Sequence, residues 1–352
     1  MSDPHESAAP VSDERQGDRR AADRHDAEGL NAVHMEASAA RSRRGLWLAG
    51  GLILACLLPL LLSSYYLGLV VKMAIFALFA MSLDLLIGYT GLASLGHAAY
   101  FGVASYATGL LALRLGWGVW FALPAGVLVA GLTAAVFGLL ALRARGSYFL
   151  MITLALAQVL WGIAFGWRSL TGGDDGLPEV PRPDLGLPWS LADNTPFYYF
   201  TLVIAVLTTW LLARIVSSPF GHTLRGIRES EVRMRALGYD VWRYKFSAFV
   251  LAGMFAGVAG CLYVYFNRFV SPDYMHVARS AEVLLMVILG GAGSLFGPAL
   301  GAASIVLLEN VVSAYTERWL MVLGIVYVLV TLFAPEGLTG LARTLFKSRG
   351  RP

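Results

Sequence analysis

Long apolar runs separated by short polar connections recur along nearly the whole chain. They fall at about 45–63, 67–87, 98–113, 119–142, 148–167, 197–216, 246–266, 281–292, 296–314 and 319–334. Most approach the ~20 residues that a helix needs to cross a hydrocarbon core. In lipid the backbone must satisfy its own polar groups, so continuous apolar runs of this length are read as helices. The pattern predicts an all-α integral membrane protein with about ten transmembrane helices within residues 45–340. The eighth run is short, and its extension back towards Val277 takes in Arg279 and Glu282, so a partial or tilted helix is expected there.

The polar segments orient this bundle. Residues 1–44 mix Asp, Glu, Arg and Ser with few large apolar side chains, which predicts a disordered tail, and 341–352 form a second short tail. The first apolar run begins near Leu46 and is as long as a full span, so an uncleaved helix is expected rather than a secretory signal. An even number of crossings places both ends on one side. Arg41, Arg43 and Arg44, then Arg143 and Arg145, then Arg225, Arg228, Arg233, Arg235, Arg243 and Lys245, and finally Arg343, Lys347, Arg349 and Arg351 all fall on that side. The opposite loops carry isolated cations such as Arg114, Arg182 and Arg318. Lys and Arg are retained in the cytoplasm, so both termini are expected to be cytoplasmic. Two long hydrophilic connections follow: 169–196, outward-facing and flanked by Trp167 and Trp189, and 217–245, cytoplasmic and basic. A docking partner on each face is the expectation.

Composition agrees, with 57% hydrophobic and 14% charged residues among 352. Cys56 and Cys261 both lie in apolar runs without metal-ligand spacing, so no disulfide, metal or cofactor is expected. The net charge of +4 comes from arginines flanking spans, which favours membrane orientation over nucleic acid. No G-x-x-x-x-G-K-[ST] loop, H-E-x-x-H pair or Ser, His and Asp set occurs, so the chain is read as non-catalytic. Any active transport must draw on a partner or an ion gradient.

Within Ser218–Asp240 the sequence reads as one short surface helix, entered after Pro219 and Gly221 and stopped by Gly238. Leu224, Ile227, Met234 and Leu237 fall on one stripe, with Glu231 inside it and Arg225, Arg228, Arg233 and Arg235 to its side or behind. Two readings stand: a helix lying on anionic lipid, or a docking helix that seats in a cytoplasmic partner, with Glu231 pairing a partner cation.

Two glycine-rich breaks interrupt the apolar sequence. One is Gly88–Gly102, with Gly91, Ser94, Gly96 and His97; the other is Gly290–Gly301, with Gly290, Gly291, Gly293 and Ser294. Broken helices at membrane depth point to a transport path, whereas small residues by themselves serve close packing. Asp84 and His97 flank the first break, as hydrogen-bond partners of freed backbone or as groups on the substrate path. Lys72, nearer the outer end of its run, is read as snorkelling to the interface.

The strings GYTGLASLGHAAYFG (88–102), RGSYFLMITLALAQV (145–159), TGGDDGLPEVPRP (171–183), FGHTLRGIRESEVRMRALGYDVWRYK (220–245), VSP (270–272) and LGGAGSLFGPALGA (289–302) resemble the longer permease subunit of the branched-chain amino-acid ABC importers. The resemblance covers about 46–340. It implies a fold like that of type II importer permeases, in a bacterial inner membrane. The implied partners are a second, homologous permease, two cytoplasmic ATP-binding subunits and a periplasmic substrate-binding protein. It makes 217–245 the coupling loop, carried by Arg228, Glu229, Glu231 and Gly238, and turns Asp174 and Asp175 towards the binding protein. Val232 and Arg233 stand where the related coupling loops have alanines, and no Ile-x-Leu-Pro follows. Asp84 stands where many members have Asn. Urea and amide permeases carry similar strings, and a self-sufficient channel or ion-coupled carrier using Asp84 and His97 is the alternative of a different class.

Overall fold

The computed structural model describes residues 50, 51, 53–183, 191, 193–316, 318–333, 337, 338 and 340. The expected tails 1–44 and 341–352, with their cations, lie outside the described residues, as does Trp189. The chain divides into a unit ending at Leu61 and a unit from Leu62 onward. In the first, residues 53–61 are helical and form α1.

The second unit is helical, and its longer helices follow the apolar runs. Its helices are α2 (Ser64–Thr90), α3 (His97–Leu115), α4 (Val119–Ala141), α5 (Ser147–Gly166), α6 (Arg168–Thr171), α7 (Asn194–Val216), α8 (Pro219–Glu229), α9 (Glu231–Ala236), α10 (Val241–Asn267), α11 (Val277–Gly290), α12 (Gly297–Ser313) and α13 (Trp319–Phe333). Six of these, α2, α3, α4, α5, α7 and α10, are long and apolar enough to cross a membrane. The 14, 17 and 15 residues of α11, α12 and α13 correspond to roughly 21–26 Å at 1.5 Å per residue. No strand occurs among the described residues beyond an isolated antiparallel bridge between Leu177 and Val270.

Two helices start at side-chain caps, ahead of their apolar runs. The run from 246 gave no sign that α10 begins at Val241, because its first turn holds Arg243 and Lys245; Asp240 accepts the Arg243 N–H there (3.2 Å). Likewise α11 starts at Val277, with the His276 ring accepting the Ala278 N–H, and so includes Arg279 and Glu282.

The core forms where α2, α3, α4 and α10 pack. Phe76 and Phe79 of α2 meet Phe101 of α3, with the Phe79 and Phe101 ring centres 4.6 Å apart, and Tyr263 of α10 closes the cluster. Small residues let the backbones approach: a side chain at Gly260 would strike the Phe101 carbonyl, and one at Gly257 would meet Ala130 Cβ at 2.7 Å. By contrast α4, α5 and α7 turn large apolar side chains outward, including Leu132, Val159 and Val203. An outward apolar surface of this kind has lipid as its natural solvent.

Lys72 departs from the expectation of snorkelling. Its Nζ pairs with Glu309 Oε2 of α12 at 2.9 Å, both side chains being mostly buried. The run-based reading missed Glu309 because a lone acid near the end of an apolar run shows no partner in sequence.

Candidate functional site

The two glycine breaks are helix ends, and the fold brings them together with α8. Helix α2 closes on Gly91, which takes a left-handed conformation (φ 73°), and its N–H and that of Leu92 both return to the Leu86 carbonyl. Helix α11 ends at Gly290. The turn that follows carries Gly291 (φ 100°) and Gly293 (φ 85°) before α12 begins at Gly297. Ser294 holds this turn, its hydroxyl donating to the Gly291 carbonyl (2.8 Å).

The turn after α11 sits directly on the last turns of α2. Asp84 Oδ1 accepts the Gly293 N–H at 2.7 Å. Gly88 permits this approach, because a Cβ there would overlap Asp84 Oδ1 and lie 2.7 Å from Gly293 Cα. Asp84 therefore satisfies freed backbone at the second break rather than its own, 209 residues away. From α8, Arg228 Nη1 donates to the Gly88 carbonyl. That guanidinium also stands against Gly293, where a Cβ would lie 2.9 Å from Nη1, and its stem passes beside Gly91. One turn earlier, Arg225 lies over the Tyr89 ring at 5.0 Å. A single cation of the 217–245 loop thus touches both breaks at once.

The rest of the first break is sealed differently. Ser94 accepts the Gly96 N–H (3.3 Å), and Gly96 is pressed against the Thr153 carbonyl of α5. His97 is fully buried, with Nε2 2.8 Å from Ser82 Oγ and its ring stacked on Phe79. The hydroxyl of Ser280 in α11 accepts the Ala98 N–H at 3.1 Å, a cap that sequence reading missed because the partners are 182 residues apart. Gly290, with Gly301, allows the tight α11–α12 packing: side chains there would strike the Gly297 and Met286 carbonyls.

The loop itself is two helices, not one. Ser230 is extended (φ −160°, ψ 102°), ends α8 and caps α9 by accepting the Arg233 N–H (3.3 Å). The start of α8 repeats the device, with Ser218 before Pro219 and its hydroxyl accepting the Gly221 N–H. Reading 218–240 as continuous overlooked that Ser before Glu is itself an N-terminal signal.

The break re-sorts the apolar stripe. Leu224, Ile227 and Met234 are buried, the last two packing with Val241 and Tyr244. Leu237 is instead 66% exposed, beside Val232 at 80%. Glu231 is engaged within the chain, pairing with Lys245 of α10 and Arg235 of α9, so α9 is clasped to the start of α10. Glu229 and Gly238 (φ 86°) stand exposed at the loop's surface.

On the opposite connection, Asp174 and Asp175 form an exposed 3₁₀ turn (Gly173–Asp175). The bridge from Leu177 to Val270 anchors it to the segment after α10.

Residues 65–331 match the family described as "Branched-chain amino acid transport system / permease component". The chain is 29% identical, over 87% of its length and 77% of the relative's, to the high-affinity branched-chain amino acid transport system permease protein of Escherichia coli strain K12. It is 26% identical to a probable branched-chain amino acid transport permease protein of Methanocaldococcus jannaschii, covering 58% of this chain and 63% of that one. An autoinducer 2 import system permease protein of Klebsiella pneumoniae is 28% identical over 46% of this chain and 47% of its own. No solved structure matches. With a family match across most of its length and six helices of membrane-spanning length among the described residues, this chain is a multi-pass membrane protein that belongs to the family of branched-chain amino acid transport permease components.

Proposed function

We propose that this chain is the non-catalytic permease subunit of an ABC importer for branched-chain or related amino acids, forming half of the translocation path. Its partners are a second homologous permease, two cytoplasmic ATP-binding subunits and a periplasmic substrate-binding protein. It lies in the bacterial inner membrane with about ten crossings and both termini in the cytoplasm, an orientation supported by the cations of 217–245 and of the turn at Arg143 and Arg145. In this topology 169–196 faces the binding protein through Asp174 and Asp175.

The observation that carries the reading is Arg228, which joins the cytoplasmic loop to both glycine breaks. An element that docks on a motor must hand its displacement to the spans. Here α8 and α9 share a small core with the start of α10, Ile227 and Met234 packing with Val241 and Tyr244, so the loop and the start of α10 can move as one body. Val232, Leu237 and Glu229 at its exposed surface dock in the ATPase, and Arg228 passes the movement to the end of α2 and the turn after α11. Because Asp84 ties those two together, they shift jointly rather than slide past each other.

Co-purification in mild detergent with the ATPase subunits tests this. Wild type is expected to capture them and to hydrolyse ATP in response to the loaded binding protein. Arg228→Ala is expected to capture them equally well and to lose at least tenfold of that response. Full response in Arg228→Ala would remove the lever, and gradient-driven uptake by the purified chain alone would replace the importer reading with a carrier.

A further inference from the structure

Four ionisable side chains outside the site just described gather near the opposite end of α2. Lys72 lies eight residues after Ser64, about 12 Å along the helix, whereas Asp84 lies about 30 Å along it. Lys72 pairs with Glu309 of α12 (2.9 Å), and Arg279 pairs with Glu282 of α11 (2.6 Å). Both cations approach one ring: Lys72 Nζ is 6.0 Å and the Arg279 guanidinium carbon 5.4 Å from the centre of Phe76. Two ion pairs, drawn from three helices, thus meet at a single buried aromatic that both cations approach.

The cluster is balanced in charge but not in hydrogen bonds. Glu282 is buried, its side chain 7% exposed, and its Oε1 has no hydrogen-bond partner. An ammonium has three donors, and Glu309 takes one from Lys72. Burying ions costs solvation that pairing only partly restores, so a seam needed merely to hold α2 to α11 and α12 would be at least as stable if apolar. Ionisable groups at membrane depth are by default candidates for function.

We propose that Lys72, Arg279, Glu282 and Glu309 form a subsite for the head group of a zwitterionic α-amino acid, the substrate's ammonium meeting Glu282 Oε1 and its carboxylate meeting Lys72 and Arg279. The proposal rests on the importer reading above and specifies where the substrate is held. A neutral site suits a neutral zwitterion: each substrate charge finds an opposite one, and no net charge enters the bilayer. The cluster also stands at the end of α2 that faces outward in the proposed topology, before the inner breaks.

The test uses the complete complex in proteoliposomes, with radiolabelled L-leucine as probe, and two variants. Glu282→Gln is isosteric and keeps an acceptor for Arg279. The exchange Lys72→Glu with Glu309→Lys keeps an ion pair but reverses its direction. Both are expected to keep complex yield and ATP hydrolysis within twofold of wild type and the unfolding temperature unchanged, while leucine uptake falls at least tenfold. Wild-type uptake in the exchange variant would make the pair a structural tie and overturn the subsite. So would a loss of uptake that is matched by a loss of yield or unfolding temperature. If the wild-type complex itself carries no leucine although its ATPase is coupled, the substrate assignment under the importer reading fails, and the subsite fails with it.

Discussion

Asp84 offers the sharpest test of the joint between the two breaks, because its carboxylate can be altered in charge and in acceptor capacity separately. In the structure Oδ1 accepts the Gly293 N–H at 2.7 Å, in a position where Asp84 is 2% exposed. Asp84→Ala removes the acceptor and leaves a backbone donor unpaired away from water, a cost of about 1–3 kcal/mol. At about 1.4 kcal/mol per tenfold, this lowers the population of the joined arrangement roughly 5- to 150-fold relative to its alternatives. Asp84→Asn keeps an oxygen in place, provided its amide turns the carbonyl towards Gly293. It exchanges a charge-assisted bond for a neutral one, and the lost strength is offset by the smaller cost of burying an uncharged group. The expected order is therefore wild type close to Asn, with Ala well below both. Two measurements check it: unfolding temperature of the purified chain in detergent, and the ratio of ATP hydrolysis by the reconstituted complex with and without loaded binding protein. Only the Ala variant should lower both. If Asn is as damaged as Ala, the charge matters rather than the acceptor; if Ala behaves as wild type, the two breaks are not joined through this bond.

Gly88→Ala places a methyl against Gly293 Cα and Asp84, an overpacking expected to cost about 1–3 kcal/mol and to lower the unfolding temperature. Gly226→Ala is a milder companion, because the atom it meets at 2.8 Å is the sulfur of a flexible Met234 side chain. Ser230→Ala removes the cap of α9 and should cost about 1 kcal/mol, read as faster amide hydrogen exchange over 231–236. Val232→Ser with Leu237→Ser alters two exposed side chains, so the unfolding temperature should hold while capture of the ATPase subunits falls at least tenfold.

Much of this protein is written in one dimension. Helix formation in lipid depends on local apolar length, so the runs from 67 to 142 foreshadow α2, α3 and α4 closely. The glycine breaks are equally visible, since positive φ and missing side chains leave a mark in composition. Even the limits of reading by apolarity have a local cause: α10 and α11 begin ahead of their apolar runs because caps at Asp240 and His276, not hydropathy, start them.

Pairing is what the sequence by itself leaves open. Asp84 and Gly293, Arg228 and Gly88, and Lys72 and Glu309 are separated by 209, 140 and 237 residues. Each side chain taken alone has several adequate partners: freed backbone nearby, the interface, or a neighbouring subunit. Which partner is taken follows from which helix faces close on which, and that depends on the fit of Phe76, Phe79 and Phe101 and on how nearly the small residues let the backbones approach. The chain's apolar pattern thus determines its membrane character and the placing of its breaks. Only the tertiary packing decides that the two breaks meet, that a loop arginine joins them, and that two ion pairs gather at one aromatic ring, because hydrogen bonds and ion pairs in a medium without water form wherever packing brings donor and acceptor together.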